Sequence, residues 1–174
     1  CGPCPAPTSL AGYTLLGTTG GHTYFKANST SNWATANSNA IAQGGHLVTI
    51  TSAAEQAWLQ ANGAGVGWIG FTDQSTEGTF RWVTGETSAY TNWAAGQPDD
   101  GGGIEDFALL NTTWNDRGAS SLSWGIIEFE CSMTQTAGLP SGSTFPIGTS
   151  VVSYSATNGQ STANCSFNVT VQDM

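Results

Sequence analysis

The sequence predicts an α+β domain with two helices, antiparallel sheets and one long irregular loop, followed by a small all-β segment. Three features point there. Two amphipathic stretches before residue 64 carry helical spacing, and short apolar runs from Trp68 to Phe129 read as strands. Residues 131–174 alternate apolar and polar with no helical pattern. The chain of 174 residues divides accordingly into a lead-in segment over 1–20, a first domain over 21–130 and a β segment over 131–174.

The lead-in is rich in Gly, Pro and Thr, with room for one edge strand, and a short strand is expected around Thr23–Lys26. In SNWATANSNAIAQ, the positions Trp33, Ala36 or Asn37, Ala40 and Ile41 line one face of a helix that Gly44 and Gly45 end. His46 to Ile50 reads as a strand. Ser52 and Glu55 form a capping-box pattern ahead of Trp58 and Leu59, so a second helix is expected to run to about Gly63. WIGF, FRWV, DFALL and WGIIEFE follow as strands. Residues 88–103 between them hold too many Gly, Asp, Asn and Pro for regular structure, and a loop that long in a compact domain usually serves a function. The closing runs SVVSYSA and CSFNVTVQD form a small β unit, short for an independent sandwich.

Hydrophobic residues make up 39% of the chain, with seven Trp and seven Phe, so a core can form. Charged residues make up only 9%, against about a quarter in typical domains. Hydroxyls and amides must solvate the surface instead, a style that suits an extracellular, loop-rich protein. Three bases (Lys26, Arg81, Arg117) face twelve acids, for a net charge of −9. Nucleic acid is excluded as a partner, because binding it by counterion release needs a basic face. Eight of the twelve acids lie between Asp73 and Asp116, with Arg81 the only base among them. Carboxylates gathered that closely must be spread over solvent or neutralised, and a bound dication is the simplest remedy.

The four cysteines stand at 1, 4, 131 and 165, without the paired C-x-x-C spacing of a zinc site. Cys131 and Cys165 look like a disulfide, implying an oxidising compartment. Cys1 and Cys4 could pair with each other, pair with chain outside this sequence, or remain unligated. The chain opens on Cys, contains no signal peptide or membrane-spanning run, and reads as a processed protein or part of a larger one.

The chemistry gathers in oxygen-bearing side chains: Asp73 with Glu77; Gln97, Asp99 and Asp100; Glu105 with Asp106; and Asn115 with Asp116. Calcium takes six to eight oxygen ligands from carboxylates, amides, backbone and water, and a loop of mixed Asp, Glu, Asn and Gln anchored by strands fits that need. A cis bond before Pro98 would turn the side chains on either side of it toward one ion.

At these residues the chain resembles the C-type lectin-like family. The resemblance rests on WIGFTD, TEGTF, WVTGE, NWAAGQPDD, IEDF and WND, with GGHLVTI upstream, and covers roughly residues 22–130. It implies the C-type lectin-like fold. It also implies a principal calcium site of Gln97, Asp99, Glu105, Asn115 and Asp116, at which the ion is shared with two sugar hydroxyls. A second, structural calcium would match Asp73, Glu77, Asp100 and Asp106. Seven of the twelve acids would thereby be ligands. The Gln-Pro-Asp form goes with galactose-type sugars in that family, so galactose or N-acetylgalactosamine is the implied partner. The aromatic residue that often follows the motif in galactose binders is replaced here by Gly101–Gly103, and the family's core cysteines by Ile41 or a neighbour, Phe107 and Glu128. The tail, LPSGSTFPIGTSVVSYSAT with CSFNVTVQD, resembles the second half of a hyalin-repeat (HYR) module, whose disulfide Cys131 and Cys165 would fit. Such modules recur in large surface adhesins, including bacterial ones.

The expected function is calcium-dependent sugar binding at a cell surface or outside the cell. The alternative is a calcium-stabilised module that binds protein and no sugar. Catalysis is not expected: Asp99 and Asp116 could be imagined as a glycosidase pair, but calcium ligands must stay ionised, and no nucleophile–base set is visible. The tryptophans at 33, 58, 68, 82, 93 and 114 read as core; His22 and His46 read as structural; Glu55 reads as a helix cap; and Glu86, Glu128, Glu130 and Asp173 read as solvated.

Overall fold

The computed structural model describes residues 7–130, 132–157 and 162–173. Strands β1 (Tyr13–Thr19) and β2 (His22–Ser31) form an antiparallel hairpin. Its two-residue turn is Gly20-Gly21, with φ of 61° and 91°, the left-handed pair that a tight hairpin turn needs. The lead-in segment thus supplies a full strand, and the strand expected over Thr23–Lys26 runs on to Ser31. Helix α1 (Trp33–Ala42) is capped by Asn32, whose side chain accepts from Thr35 N at 2.9 Å. Helix α2 (Ala53–Ala61) is capped by Ser52, which accepts from Glu55 N at 3.2 Å. The Glu55 carboxylate reaches back one residue further than a strict capping box, to Thr51 N at 2.9 Å.

Between the helices, β3 (His46–Leu47) has only two residues in the ladder, where a strand to Ile50 is predicted. Val48 N still donates to Ile126 O, and Gly70 N donates to Val48 O, so the extension bridges two neighbours instead of lying along one. The remaining strands are β4 (Gly67–Thr72), β5 (Arg81–Trp82), β6 (Phe107–Leu110), β7 (Trp114–Arg117) and β8 (Ser123–Phe129). Their order is β1-β2-β8-β4-β6-β7, with β3 on β8 and β5 on β4. Among the described pairings between these strands only β4–β8 is parallel, and a single parallel bridge joins Trp93 to Trp114.

β4 reads as an unbroken apolar run because it separates two cores and is buried on both faces. Ile69 and Phe71 face one core with Leu59 of α2, Trp82, Leu110, Trp114 and Ile126. Trp68 faces the other with Trp33, Ala36 and Ala40 of α1, Phe107, Ile127 and Phe129. Three buried indoles find an acceptor: Trp33 Nε1 donates to Ile69 O, Trp68 Nε1 to Ser31 O, and Trp114 Nε1 to Gln56 Oε1, all at 2.8 Å. Gly70 is required where β4 meets β3, since a Cβ there would lie 2.6 Å from Leu47 O. Two expectations are corrected. Ile41, assigned to the apolar face of α1, is 62% exposed, because the neighbouring turns already seat Trp33, Ala36 and Ala40. Glu128, expected to be solvated, is 1% exposed.

The C-terminal segment forms a separate antiparallel sheet of β9 (Ser132–Ala137), β10 (Gly148–Thr157) and β11 (Thr162–Val171), with β10 central. Cys165 is disulfide-bonded. Cys131, its expected partner, lies outside the described residues, as do Cys1 and Cys4.

Candidate functional site

The long loop is held from below by an aromatic cluster. Trp114 sits edge-on to Phe71, Trp82, Tyr90 and Trp93, with ring centroids 5.8 Å away in each case. Backbone bonds tie the loop to β7: Trp114 N donates to Asn92 O at 2.7 Å and Ala94 N to Trp114 O at 2.8 Å. The loop therefore passes directly over Asn115 and Asp116, the next residues of β7.

There it closes on Asp116, which is fully buried. Asp116 Oδ2 accepts from Asp99 N at 3.0 Å and Asp100 N at 2.8 Å. The Gln97–Pro98 bond is cis, and Gln97 Nε2 donates to Asp99 Oδ1 at 2.8 Å. Asp100 takes a left-handed φ of 46° and turns the chain, so that its Oδ1 accepts from Glu105 N at 3.1 Å. Gly101 N in turn donates to Glu105 Oε2 at 3.0 Å. Asp99, Glu105 and Asp116 end with carboxylate oxygens within 4.8 Å of one another.

A second cluster lies beside it. Asp73 follows β4, and its N donates to Asp106 O at 3.2 Å just ahead of β6. The turn after Asp73 brings Gly78 N to Asp73 Oδ2 at 2.9 Å and carries Glu77 alongside. Asp73, Glu77 and Asp106 converge within the same 4.8 Å limit. Burial pushes the Asp73 carboxyl above its ordinary range, and Asp106 adds to this. Glu77 is raised too, first by lost solvation and then by the charges of Asp73, Asp100 and Asp106. Asp100 is thus close enough to act on Glu77, although its own Oδ1 is engaged by the loop. A cleft lined by Asp73, Glu77, Phe80, Pro98, Asp99 and Asp116 joins the two clusters.

Seven buried side-chain atoms lack a hydrogen-bond partner among the described residues, and four are oxygens of these clusters: Asp73 Oδ1, Gln97 Oε1, Asn115 Oδ1 and Asp116 Oδ1. A desolvated acceptor without a donor is costly, and native proteins seldom keep several together. Oxygens from Asp, Gln and Asn that face no N–H match a hard cation that takes oxygen ligands. All nine residues singled out in the sequence for metal binding lie in or beside these two clusters.

A third group carries no motif along the chain. His22, Glu128 and Glu130 also bring ligand atoms within 4.8 Å of one another, where β2 begins and β8 ends. Alternation on two strands could have hinted at it, but only the pairing of those strands joins the residues.

Two family models match. The C-type lectin domain matches residues 29–129, and the HYR domain residues 126–171. The chain is 37% identical over 116 residues to mouse C-type lectin domain family 4 member F, covering 60% of this chain and 21% of that protein. The match thus spans about a fifth of that relative's length. Among solved structures, the carbohydrate-recognition domain of the human scavenger receptor C-type lectin superposes with a TM-score of 0.63 at 27% identity, covering 71% of this chain and 99% of that one. A calcium-independent type II antifreeze protein superposes with a TM-score of 0.61 at 25% identity, covering 71% and 95%. These relatives give no support to a bacterial adhesin setting.

Proposed function

Because the chain belongs to the C-type lectin family, a non-enzymatic class that binds carbohydrate, we propose that it binds sugar through calcium held on the 97–116 loop. The observation that carries this reading is the set of four buried oxygens without donors. The fold alone would not carry it, since a calcium-independent protein shares that fold. Gln97, Asp99, Glu105, Asn115 and Asp116 would hold the principal ion; Asp73, Glu77 and Asp106, with Asp100 adjacent, would hold a second. Bound calcium supplies a Lewis-acidic centre whose remaining coordination positions accept sugar hydroxyls.

The residues themselves do the rest. The carboxylates of Asp99 and Glu105 accept hydroxyl protons, and the amides of Gln97 and Asn115 can donate N–H bonds in return. Asp116 keeps the loop seated by accepting from two backbone N–H groups. The Gln97-Pro98-Asp99 order favours galactose or N-acetylgalactosamine as partner. Phe80, half-buried in the cleft, is an aromatic surface near the site where Gly101–Gly103 offer none. We place the domain outside the cell or on its surface, as one part of a larger protein in which the HYR-type segment follows it.

Titration calorimetry with galactose, N-acetylgalactosamine and mannose, in calcium and in EDTA, tests the reading. Heat for the galactose-type sugars that EDTA abolishes is expected. Calcium binding without heat from any hexose would overturn sugar recognition in favour of a protein-binding module. A lack of calcium binding would overturn both.

A further inference from the structure

The third cluster differs from the two acidic ones in containing imidazoles. Glu128 of β8 pairs with Tyr24 of β2 on one side and with His46 of β3 on the other. Residues directly opposite share a face, and so do residues two apart along a strand. His22, two before Tyr24, and Glu130, two after Glu128, therefore join His46 and Glu128 on one face of the sheet. Glu128 is buried, its Oε1 2.5 Å from His22 Nδ1 and its Oε2 accepting from Thr49 N at 2.9 Å.

His46 is oriented as a metal ligand would be. Its Nδ1 lies 2.9 Å from Leu47 O, and a carbonyl can only accept, so Nδ1 carries the proton. In the neutral ring Nε2 is then a bare lone pair. That atom is buried without a hydrogen-bond partner, 3.6 Å from Glu130 Oε1. Pinning one imidazole nitrogen on a backbone carbonyl is how proteins fix the tautomer of a ligating histidine.

Among the described residues, the only ion pairs of the Glu128 and Glu130 carboxylates are with His22 and His46. Lys26, Arg81 and Arg117 are the only bases in the sequence, and Lys26 is spent on Ala64 O at 2.7 Å. One proton shared between His22 and Glu128 leaves the His46 lone pair facing Glu130. A second proton, on His46 Nε2, would make an ion pair with Glu130 at 3.6 Å, too long for a hydrogen bond. A tetrahedral zinc ion with bonds of about 2.0–2.2 Å sets its ligand atoms ~3.3–3.5 Å apart, close to that spacing. Zinc would replace the proton between His22 and Glu128, and the half-exposed His22 ring has room to open by the ~0.8 Å this requires. We propose that His22, Glu128 and Glu130 form a zinc-type metal site, and that His46, whose Nε2 stands beside Glu130 but outside that 4.8 Å group, swings in as fourth ligand. The imidazoles select zinc or a similar transition metal over calcium. A pocket of about 460 Å³, walled by Tyr24 and Trp58 and including Glu55 and Glu86, gives the ion its access.

The test uses the full chain, stripped of metal and then saturated with calcium so that the acidic loop is occupied. Zinc is titrated by calorimetry near neutral pH, and cobalt is titrated with its visible spectrum as reporter of nitrogen ligation. The expected result is one zinc per chain, a tetrahedral cobalt spectrum, and affinity lowered at least ~10-fold in His22→Gln and in His46→Gln. Circular dichroism checks that each variant folds. Should His46→Gln fail to fold, His22→Gln and Glu130→Gln decide, since those side chains are 35% and 43% exposed. No zinc binding, or binding that neither the histidine variants nor Glu130→Gln weaken, would overturn the proposal.

Discussion

Replacing Asp116 by Asn removes one charge while keeping the shape of the side chain, which makes it a sharp probe of the loop. Asp116 Oδ2 faces two backbone donors, so the amide oxygen of Asn must take that place. The NH₂ group then falls where the unpartnered Oδ1 stood and points two donors at the position of a cation. In calcium-free protein two effects oppose each other. Two hydrogen bonds to a charged acceptor become bonds to a neutral one, costing roughly 1–2 kcal/mol each. Against this, repulsion from carboxylates within 4.8 Å is relieved, about 3 kcal/mol per pair at an effective dielectric near 20 and less with solvent between them. Asp99 is exposed and Glu105 half-buried, so solvent screening cuts the two-pair total of up to ~7 kcal/mol to about the size of the lost bonds, and calcium-free stability should change by no more than ~1–2 kcal/mol.

The calcium response should change far more. An extracellular-type site with Kd of about 10⁻⁴–10⁻³ M stabilises the fold by ~1.4–2.7 kcal/mol at about 10 mM calcium. At ~4 °C per kcal/mol this is roughly 6–11 °C in Tm. Asp116→Asn should lose that increment and keep only what the Asp73 cluster contributes. Calorimetric melts of both proteins with and without EDTA measure it. A wild-type Tm that EDTA leaves unmoved would refute calcium binding. A variant with the full wild-type shift would refute the role of Asp116.

Other perturbations separate site from scaffold. In Gly101→Ala the new Cβ would lie 2.7 Å from Glu105 Oε2, so the carboxylate must swing aside. Calcium affinity should fall about 10-fold by titration while calcium-free stability stays within ~0.5 kcal/mol. Trp114→Ala empties the centre of the aromatic cluster and orphans Gln56 Oε1, and urea denaturation should show a loss of ~3–5 kcal/mol together with the calcium response. Ile41→Ser should cost less than ~0.5 kcal/mol in the same assay, since that side chain is 62% exposed; a loss above 2 kcal/mol would mean that Ile41 packs after all.

Residue types alone determined much of this protein. Alternation and helical spacing marked the two helices and most strands, Asn32 and Ser52 stand where helix caps belong, and the density of Asp, Asn and Gln between 73 and 116 marked an oxygen-rich cation loop. These are local properties, carried by a residue and its near neighbours in the chain. Pairing between distant segments decided the rest. Strand register placed His46 and Tyr24 on either side of Glu128 and drew a nominally solvated acid into the interior. The seating of the loop on β7 left Asp116 Oδ1 and Asn115 Oδ1 without donors, although the same two residues elsewhere would form an ordinary turn. Whether a polar atom is satisfied depends on every group around it in space. That property has no signature along the chain, and only the tertiary structure fixes it.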